Sequence, residues 1–413
     1  MNYTDFIYSN KYDWRALIFF FIFVLIFMKG NKEIVSKNKM EIKLIRYFKH
    51  KTKQISYYNY EKDLPRILNY INFLKENYFN NITYYSNNSK PKVSFIASVY
   101  NKEKYLGPFI SSIQKQDLEE FELIFVDDCS TDKSIDIIGE FQEKDNRIKL
   151  IKNKKNMGSL YTRYNGALFS QGDYIIFVDS DDLVLKNGII NTYNQMKKKN
   201  LDMAEFNSIF HNNTEHIFIS RRYYKFTNII YQPILSYVYY YRNKEVIELN
   251  TALWDKLVKR EIVLKSFKYI GSQYLNEKII IENDVIILFA FFKNSNSFQY
   301  IDELGYYYHI QNKDSITGTR YEPYKSNQIV HSIFYNIKYL FDITKNTTFD
   351  KALVMYKLKQ GYNRYKICFK YIDKEYKLIR NVLNTLLESK YISSENKLII
   401  KNIANEIFIK KTS

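Results

Sequence analysis

Gly172-Asp-Tyr-Ile-Ile-Phe-Val-Asp-Ser-Asp-Asp182 is the stretch on which the reading of the fold turns. Tyr174 to Val178 is a short apolar run, bounded by glycine before it and by four polar residues, three of them Asp, after it. Its length and β-branched content make it a strand. Upstream, Val93 to Val99 and Phe121 to Val126 are runs of the same kind, and Ile148 to Ile151 is a shorter one. The segments between them have helical spacing. Tyr105 to Gln116 carries Leu106, Ile110 and Ile113, and Ser134 to Phe141 carries Ile135, Ile138 and Phe141 on one face. Ser159 to Ser170 is the third helix. Alternation of strand and helix with short loops implies a mainly parallel sheet with helices on both faces.

Ligands on such sheets lie beyond the carboxyl ends of the strands. Those ends here are Tyr100-Asn101, Asp127-Asp128 and Asp179 to Asp182, so polar groups from three strands converge on one crevice. Beyond Asp182 the rhythm loosens. Met203 to Ile209, His216 to Ser220 and Gly305 to Ile310 read as strands, and Leu253 to Lys265 and Asp284 to Phe292 as helices. From Tyr321 onward the chain reads as helical and basic. The expected organisation is a tail over 1–15, an anchor over 16–28 and a stalk over 29–90. A ligand-binding half over 91–205, a second half over 206–320 and a helical region over 321–413 follow.

A chain of 413 residues, 46% hydrophobic and 26% charged, can bury a sizeable core and is not disordered by composition. Its net charge of +18 raises the question of nucleic acid, but the Lys residues are scattered along the whole length. That pattern is a solvated basic surface, not a nucleic-acid site. Cys129 and Cys368 stand far apart and form no metal spacing. Ala16 to Met28 is an unbroken apolar run; its 13 residues span ~20 Å as a helix, short of a ~30 Å hydrocarbon core. Snorkelling of Trp14 and the Arg15 stem extends it, and the lack of a polar face favours a membrane over a buried helix. Lys29, Lys32, Lys37, Lys39 and Lys43 follow the run, which places the downstream chain on the cytosolic side. A luminal orientation is the alternative, with which the sequons at Asn81 and Asn346 are compatible.

Asp179, Asp181 and Asp182 put three carboxylates within four positions at the mouth of the sheet. Such a group repels itself unless a cation or a basic partner is present, and oxygen-only ligands select a hard ion, Mg²⁺ or Mn²⁺. The bland alternative is a polar turn ahead of a helix near Lys186. Asp128 can accept from a ring N–H or a ribose hydroxyl, or it can cap a helix, a role open also to Ser130, Thr131 or Asp132. Tyr100 can stack on a base or stand as a rim aromatic. Arg163 can face a ligand or pair with Asp128.

The motifs resemble those of family-2 glycosyltransferases. Lys92 to Asn101, Tyr105-Leu106 and Ser111 to Gln116 are similar to that family's opening, and Phe121 to Asp132 to its second-strand motif. Asn156-Met-Gly158, Arg163, Gly166 and Gly172 to Asp182 follow in the family's order. The resemblance implies a GT-A fold, a nucleotide-sugar donor and a divalent metal. It places Ser98 or Tyr100 against the base, Asp128 on uracil, and Asp179 with Asp181 as the DxD pair. Asp181, sometimes helped by Asp182, reaches metal and diphosphate, and Arg163 lies near the nucleotide. Leu253-Trp-Asp-Lys-Leu-Val-Lys-Arg260 is similar to the family's Trp-x-Lys-Leu segment, which sets Trp254 and Lys256 on the acceptor side. Ile281-Glu-Asn-Asp-Val285 stands where the family has adjacent Glu-Asp, with Asn283 between the acids. Asp284 is the expected base and Glu282 the alternative, both near a helix N-terminus that favours the ionised form. Gly305 to His309 and Asp314 to Thr317 are similar to a closing Tyr-rich strand and its tail.

The implied reaction is inverting transfer of a sugar from a nucleotide-sugar, a UDP-sugar, to a hydroxyl of a glycan, lipid or protein. A non-catalytic donor-binding member of the same fold, or a nucleotidyltransferase, is the alternative; the latter lacks the expected Gly-rich phosphate loop. The identity of the sugar lies in acceptor-side loops that the sequence leaves open.

Overall fold

The computed structural model describes residues 89–211, 217–220, 230–231, 241–242, 245–246, 252–309, 323–343, 348–368 and 376–409. The apolar run 16–28, residues 29–88 of the expected stalk and the sequons at Asn81 and Asn346 lie outside them, as does Asp314 to Thr317. No described helix is long and apolar enough to cross a membrane.

The first half alternates as expected: β1 (Val93–Val99), α1 (Glu103–Gln114), β2 (Phe121–Asp127), α2 (Ser134–Gln142), β3 (Ile148–Lys152), α3 (Ser159–Phe169) and β4 (Tyr174–Asp179). β5 (Leu183–Val184), α4 (Gly188–Lys199), β6 (Met203–His211), β7 (Ile217–Ser220) and β8 (Ile230–Tyr231) follow. A small hairpin pairs β9 (Tyr241–Arg242) with β10 (Glu245–Val246). Then come β11 (Lys256–Lys259), α5 (Arg260–Ile270), α6 (Ser272–Leu275), α7 (Asn283–Asn294) and β12 (Ser297–His309). Four helices close the chain: α8 (Pro323–Ile343), α9 (Thr348–Cys368), α10 (Tyr376–Glu388) and α11 (Ser394–Ile409).

The main sheet runs β3-β2-β1-β4-β11-β6-β12-β5, with β7 on β6 and β8 on β12. The first four strands are parallel, β12 runs parallel to β6, and β11 and β5 run against their neighbours. From β1 the chain steps outward to β2 and β3, then returns to the other side of β1 as β4. The direction of winding therefore reverses between β1 and β4, which opens a crevice at their carboxyl ends. The ladder sets Ser98 of β1 directly beside Asp179 of β4.

Successive residues of β1 enter different cores, as the two-residue period requires. Phe95 packs with Phe109, Phe125, Ile138 and Ile189 on the face covered by α1, α2 and α4. Ile96 joins Leu160, Phe177, Phe267 and Phe289 on the other face, under α3, α5 and α7. Phe334, Leu358, Leu383 and Ile403 continue this second core, so α8 to α11 are part of it. α7 buries nine of its twelve residues and has no solvent face, which a helix covered on every side can tolerate. The expected division at 205/206 falls inside β6, and strands from both sides share one sheet.

One element differs in kind from expectation. The helix read over Leu253 to Lys265 is a strand, β11, followed by a helix that starts at Arg260. Val258 pairs with both Ile175 of β4 and Met203 of β6. Without β11 the facing edges of β4 and β6 would bury unpaired amides, and that demand overrides the local helical spacing.

Candidate functional site

The acidic turn sits at the carboxyl end of β4 and is braced from two directions. Ser180 Oγ donates to Ser98 O over 2.9 Å, tying the turn to β1. The Tyr306 hydroxyl on β12 accepts from the Asp179 amide at 3.0 Å and donates to Asp182 Oδ2 at 2.9 Å. Burial, together with the negative charge of Asp182 and Asp179, raises the pKa of this phenol well above its ordinary value, so it stays a donor. Asp182 is 3% exposed and aimed at Tyr306. Asp182, expected among the metal ligands, has its Oδ2 on Tyr306, inside the turn.

Asp179 and Asp181 face outward into a cluster of charges. Arg163, from the buried face of α3, donates through Nη2 to Asp179 Oδ1 at 3.2 Å and through Nη1 to Asp284 Oδ1 at 2.5 Å. Its Nη1 also bonds Asn283 Oδ1. One planar guanidinium on α3 thus joins the end of β4 to the start of α7, with Asp284 121 residues from Arg163 in sequence. Burial opposes the charge of Arg163, but Asp284 and Asp179 outweigh it and raise its pKa. Arg163 makes no pair with Asp128, one of the partners considered for it. On the other flank Lys102 Nζ lies 2.7 Å from Asp181 Oδ2, both side chains nearly buried. Burial raises the Asp179 carboxyl to about 6. Arg163 and Lys102 pull it down, while Asp181 and Asp284 push it up.

The two acids flanking Asn283 point in different directions. Asp284 lies in the first turn of α7 and is 30% exposed toward the crevice. Asn283 is buried and donates to Ser159 Oγ at 2.6 Å. Glu282 precedes the helix with φ of 56° and reaches Lys357 of α9 at 3.8 Å. Asn283 and Asp284, not Glu282, are the adjacent pair that enters the site.

Asp128 is 5% exposed, and its carboxylate gathers the loop before α3. Oδ1 accepts from Asn153 Nδ2 at 2.9 Å and from the Met157 amide at 2.8 Å, and Oδ2 accepts from the Gly158 amide at 2.8 Å. Gly158 has φ of +83°, and a Cβ there would lie 2.9 Å from Ile279 O. The Asp128-bound loop therefore abuts the segment leading to Asp284. Asp132 takes the capping role, accepting from Ser134 N and Glu103 N, each at 3.0 Å. Tyr100 is 50% exposed at the rim, and the Ser98 hydroxyl is buried with no hydrogen-bond partner among the described residues.

Residues 94–262 match the family described as glycosyl transferase family 2. An uncharacterized glycosyltransferase of Methanocaldococcus jannaschii is 30% identical over 229 residues, which cover 55% of this chain and 73% of that protein. The chain belongs to glycosyltransferase family 2. An uncharacterized glycosyltransferase of Haemophilus influenzae is 42% identical over 120 residues, 29% of this chain and 48% of its own. The chain spans about half the length, or less, of several curated relatives that it matches. The crystal structure of S. aureus TarS superposes with a TM-score of 0.50 at 17% identity, covering 77% of this chain and 53% of that one. That likeness supports the GT-A-type fold.

As a family-2 member the chain departs from expectation at its acceptor-side pair. Lys256 is 1% exposed; its ammonium bonds Ala252 O at 2.7 Å and Asp255 at 2.6 Å and lies 3.4 Å from Glu205. Trp254 stacks on Tyr306 and Tyr308 with ring centroids 4.8 and 5.2 Å away. Both side chains are internal, Lys256 at the start of β11 and Trp254 just ahead of it. Lys102, Asn283 and Tyr306 were absent from the expected site. Nothing in the local sequence marks Lys102 or Tyr306, because their partners lie 79 and 124 residues away.

Among the described residues no group of three acidic, His or Cys side chains is assembled around a metal position. Asp179 and Asp181 nonetheless suit a hard ion. They are oxygen donors at the mouth of the sheet, and Asp179 shares the Arg163 guanidinium with Asp284. Two carboxylates are what Mg²⁺ takes when phosphate and water supply the remaining ligands.

Proposed function

We propose that this protein transfers a sugar from a nucleotide-sugar, a UDP-sugar, to an acceptor hydroxyl with inversion of configuration. The observation that carries the reading is the single guanidinium of Arg163 shared between Asp179 and Asp284 at the switch point of the sheet. It joins a diphosphate-side carboxylate to a base-side carboxylate across one crevice. The buried Ser98 hydroxyl and the exposed Tyr100 ring mark the nucleoside end. Asp128 serves that end at one remove, by fixing the loop at 153–158.

Asp179 and Asp181 would hold Mg²⁺ or Mn²⁺, which supplies neutralising charge at the diphosphate. Lys102, paired with Asp181 in this structure, would turn its ammonium to phosphate oxygens where Asp181 serves the ion. Arg163 holds Asp284 Oδ1, which leaves Oδ2 to receive a proton. The acceptor O–H gives its proton to Asp284, its oxygen bonds to the anomeric carbon, and the bond from that carbon to the diphosphate oxygen breaks. One displacement suffices, with no covalent sugar on the protein. Asp284 stands in the first turn of α7, where the helix dipole favours negative charge. Tethering of the domain to a membrane through 16–28 belongs to the same proposal.

The test is a panel of UDP-, GDP- and dTDP-sugars scored for release of nucleoside diphosphate, with Asp284→Asn as control. Turnover with a UDP-sugar that falls ~10²-fold or more in the variant, at unchanged UDP affinity, supports the reading. Full turnover by Asp284→Asn refutes the assignment of the base.

A further inference from the structure

The segment that carries Asp284 is gripped by helices that lie beyond the family match at 94–262. Ile280 N donates to Ser332 Oγ of α8 at 3.1 Å, and Asn336 Nδ2, one turn further along that helix, donates to Ile281 O at 3.3 Å. Glu282 then reaches Lys357 of α9 at 3.8 Å, with side chains 13% and 9% exposed. Residues 280 to 282 therefore bond toward α8 and α9, whereas Asn283 and Asp284 bond toward Arg163. The reversal occurs at Glu282, whose φ of 56° is a left-handed conformation that non-glycine residues seldom adopt. Backbone strain of this kind persists only where surrounding contacts enforce it. A buried ammonium facing a nearly buried carboxylate is such a contact, because either charge alone would be stranded from water. Gln360 Oε1 accepts from the same ammonium at 3.0 Å and fixes where it stands.

We infer that Lys357 is a positioning residue: by holding Glu282 in its left-handed turn, it sets Asp284 against the crevice. The C-terminal helices thereby complete the site, and Glu282, the second acid of the Ile281–Val285 segment, is the handle by which they do so. The inference rests on Asp284 being the base.

The experiment compares Lys357→Met, Lys357→Arg, Glu282→Gln and the Met/Gln double variant with wild type and Asp284→Asn. UDP release from UDP-glucose, UDP-galactose and UDP-N-acetylglucosamine is measured together with UDP affinity. Hydrogen exchange of the 279–285 amides is followed on the same proteins without any ligand. Lys357→Met and Glu282→Gln should each lower kcat about 10- to 100-fold, as expected for a misplaced base, with UDP affinity within twofold of wild type. Both should speed exchange of the 279–285 amides. Lys357→Arg should restore most of the turnover and the protection, and the double variant should be no worse than either single one. Wild-type exchange in both single variants overturns the proposal even where no donor is turned over. An inactive Asp284→Asn beside a fully active Lys357→Met overturns the proposal alone. A fully active Asp284→Asn overturns the base assignment and the proposal with it.

Discussion

Replacing Arg163 by Met tests the centre of the site, because the stem volume is kept and only the guanidinium is lost. Three polar contacts go with it, to Asn283, to Asp284 at 2.5 Å and to Asp179 at 3.2 Å. Hydrogen bonds to charged groups contribute roughly 1.5–3 kcal/mol each. The two carboxylates are 35% and 30% exposed, so they regain water once the cation is gone, which returns part of that sum. A net loss of about 3 kcal/mol remains, or about 5–10 °C in Tm for a domain of this size. The loss should depend on pH. Asp179 already sits at about 6, above the ordinary carboxylate range, so its ionisation weakens the fold as pH rises toward that value. Without Arg163 the carboxyl moves higher still and the penalty at neutral pH grows. The deficit of Arg163→Met should therefore be largest above about pH 6 and shrink toward pH 5. Thermal melts of both proteins from pH 5 to 8 check this, with turnover expected to fall ~10²-fold or more. Arg163→Lys should recover little, since one ammonium cannot span two carboxylates as a fork does. A melting difference that widens at acid pH, or full activity in either variant, refutes the bridging role.

Asp181→Asn should abolish Mn²⁺ uptake by calorimetry while leaving Tm within a few degrees, because the amide oxygen can still accept from Lys102. Tyr306→Phe removes the hydroxyl between the Asp179 amide and Asp182, and should lower stability by about 1–3 kcal/mol in denaturant titration. The same variant should lower turnover as the acidic turn loosens. Asp128→Ala strands the amides of Met157 and Gly158 and should weaken both Tm and UDP affinity. A loss of UDP affinity with no change in Tm would instead give Asp128 a direct contact with the nucleoside.

The first half of the fold was legible because each element there is determined locally. Phe121 to Asp127 and Tyr174 to Asp179 are apolar runs flanked by turn residues, and the helices between them show their buried face in their spacing. Asp179, Asp181 and Arg163 were identified by motif and do meet in one crevice. The reading ran out where long-range demand decides. β11 exists because two strands need an edge covered, which no window around Lys256 reveals. The family resemblance set Trp254 and Lys256 on the acceptor side, yet Trp254 stacks inside on Tyr306 and Tyr308, and Glu205 and Asp255 make a buried lysine tolerable. The partners of Asp128 and of Glu282 follow from loop geometry, and the direction in which either side chain points is invisible in the chain's order.

The brace at Tyr306 has a bearing on how such proteins diversify. Sugar and acceptor preferences are commonly imagined as cassettes that recombination can exchange behind a constant nucleotide-binding front. Here the front is not self-sufficient: its acidic turn hangs on a hydroxyl contributed by β12, and β4 shares a hydrogen-bonded edge with β11. A crossover near residue 205 would import a foreign keystone along with the foreign specificity. Viable hybrids should keep a tyrosine at the position of Tyr306 and a strand that fits beside β4, so exchange is confined to the loops between those supports.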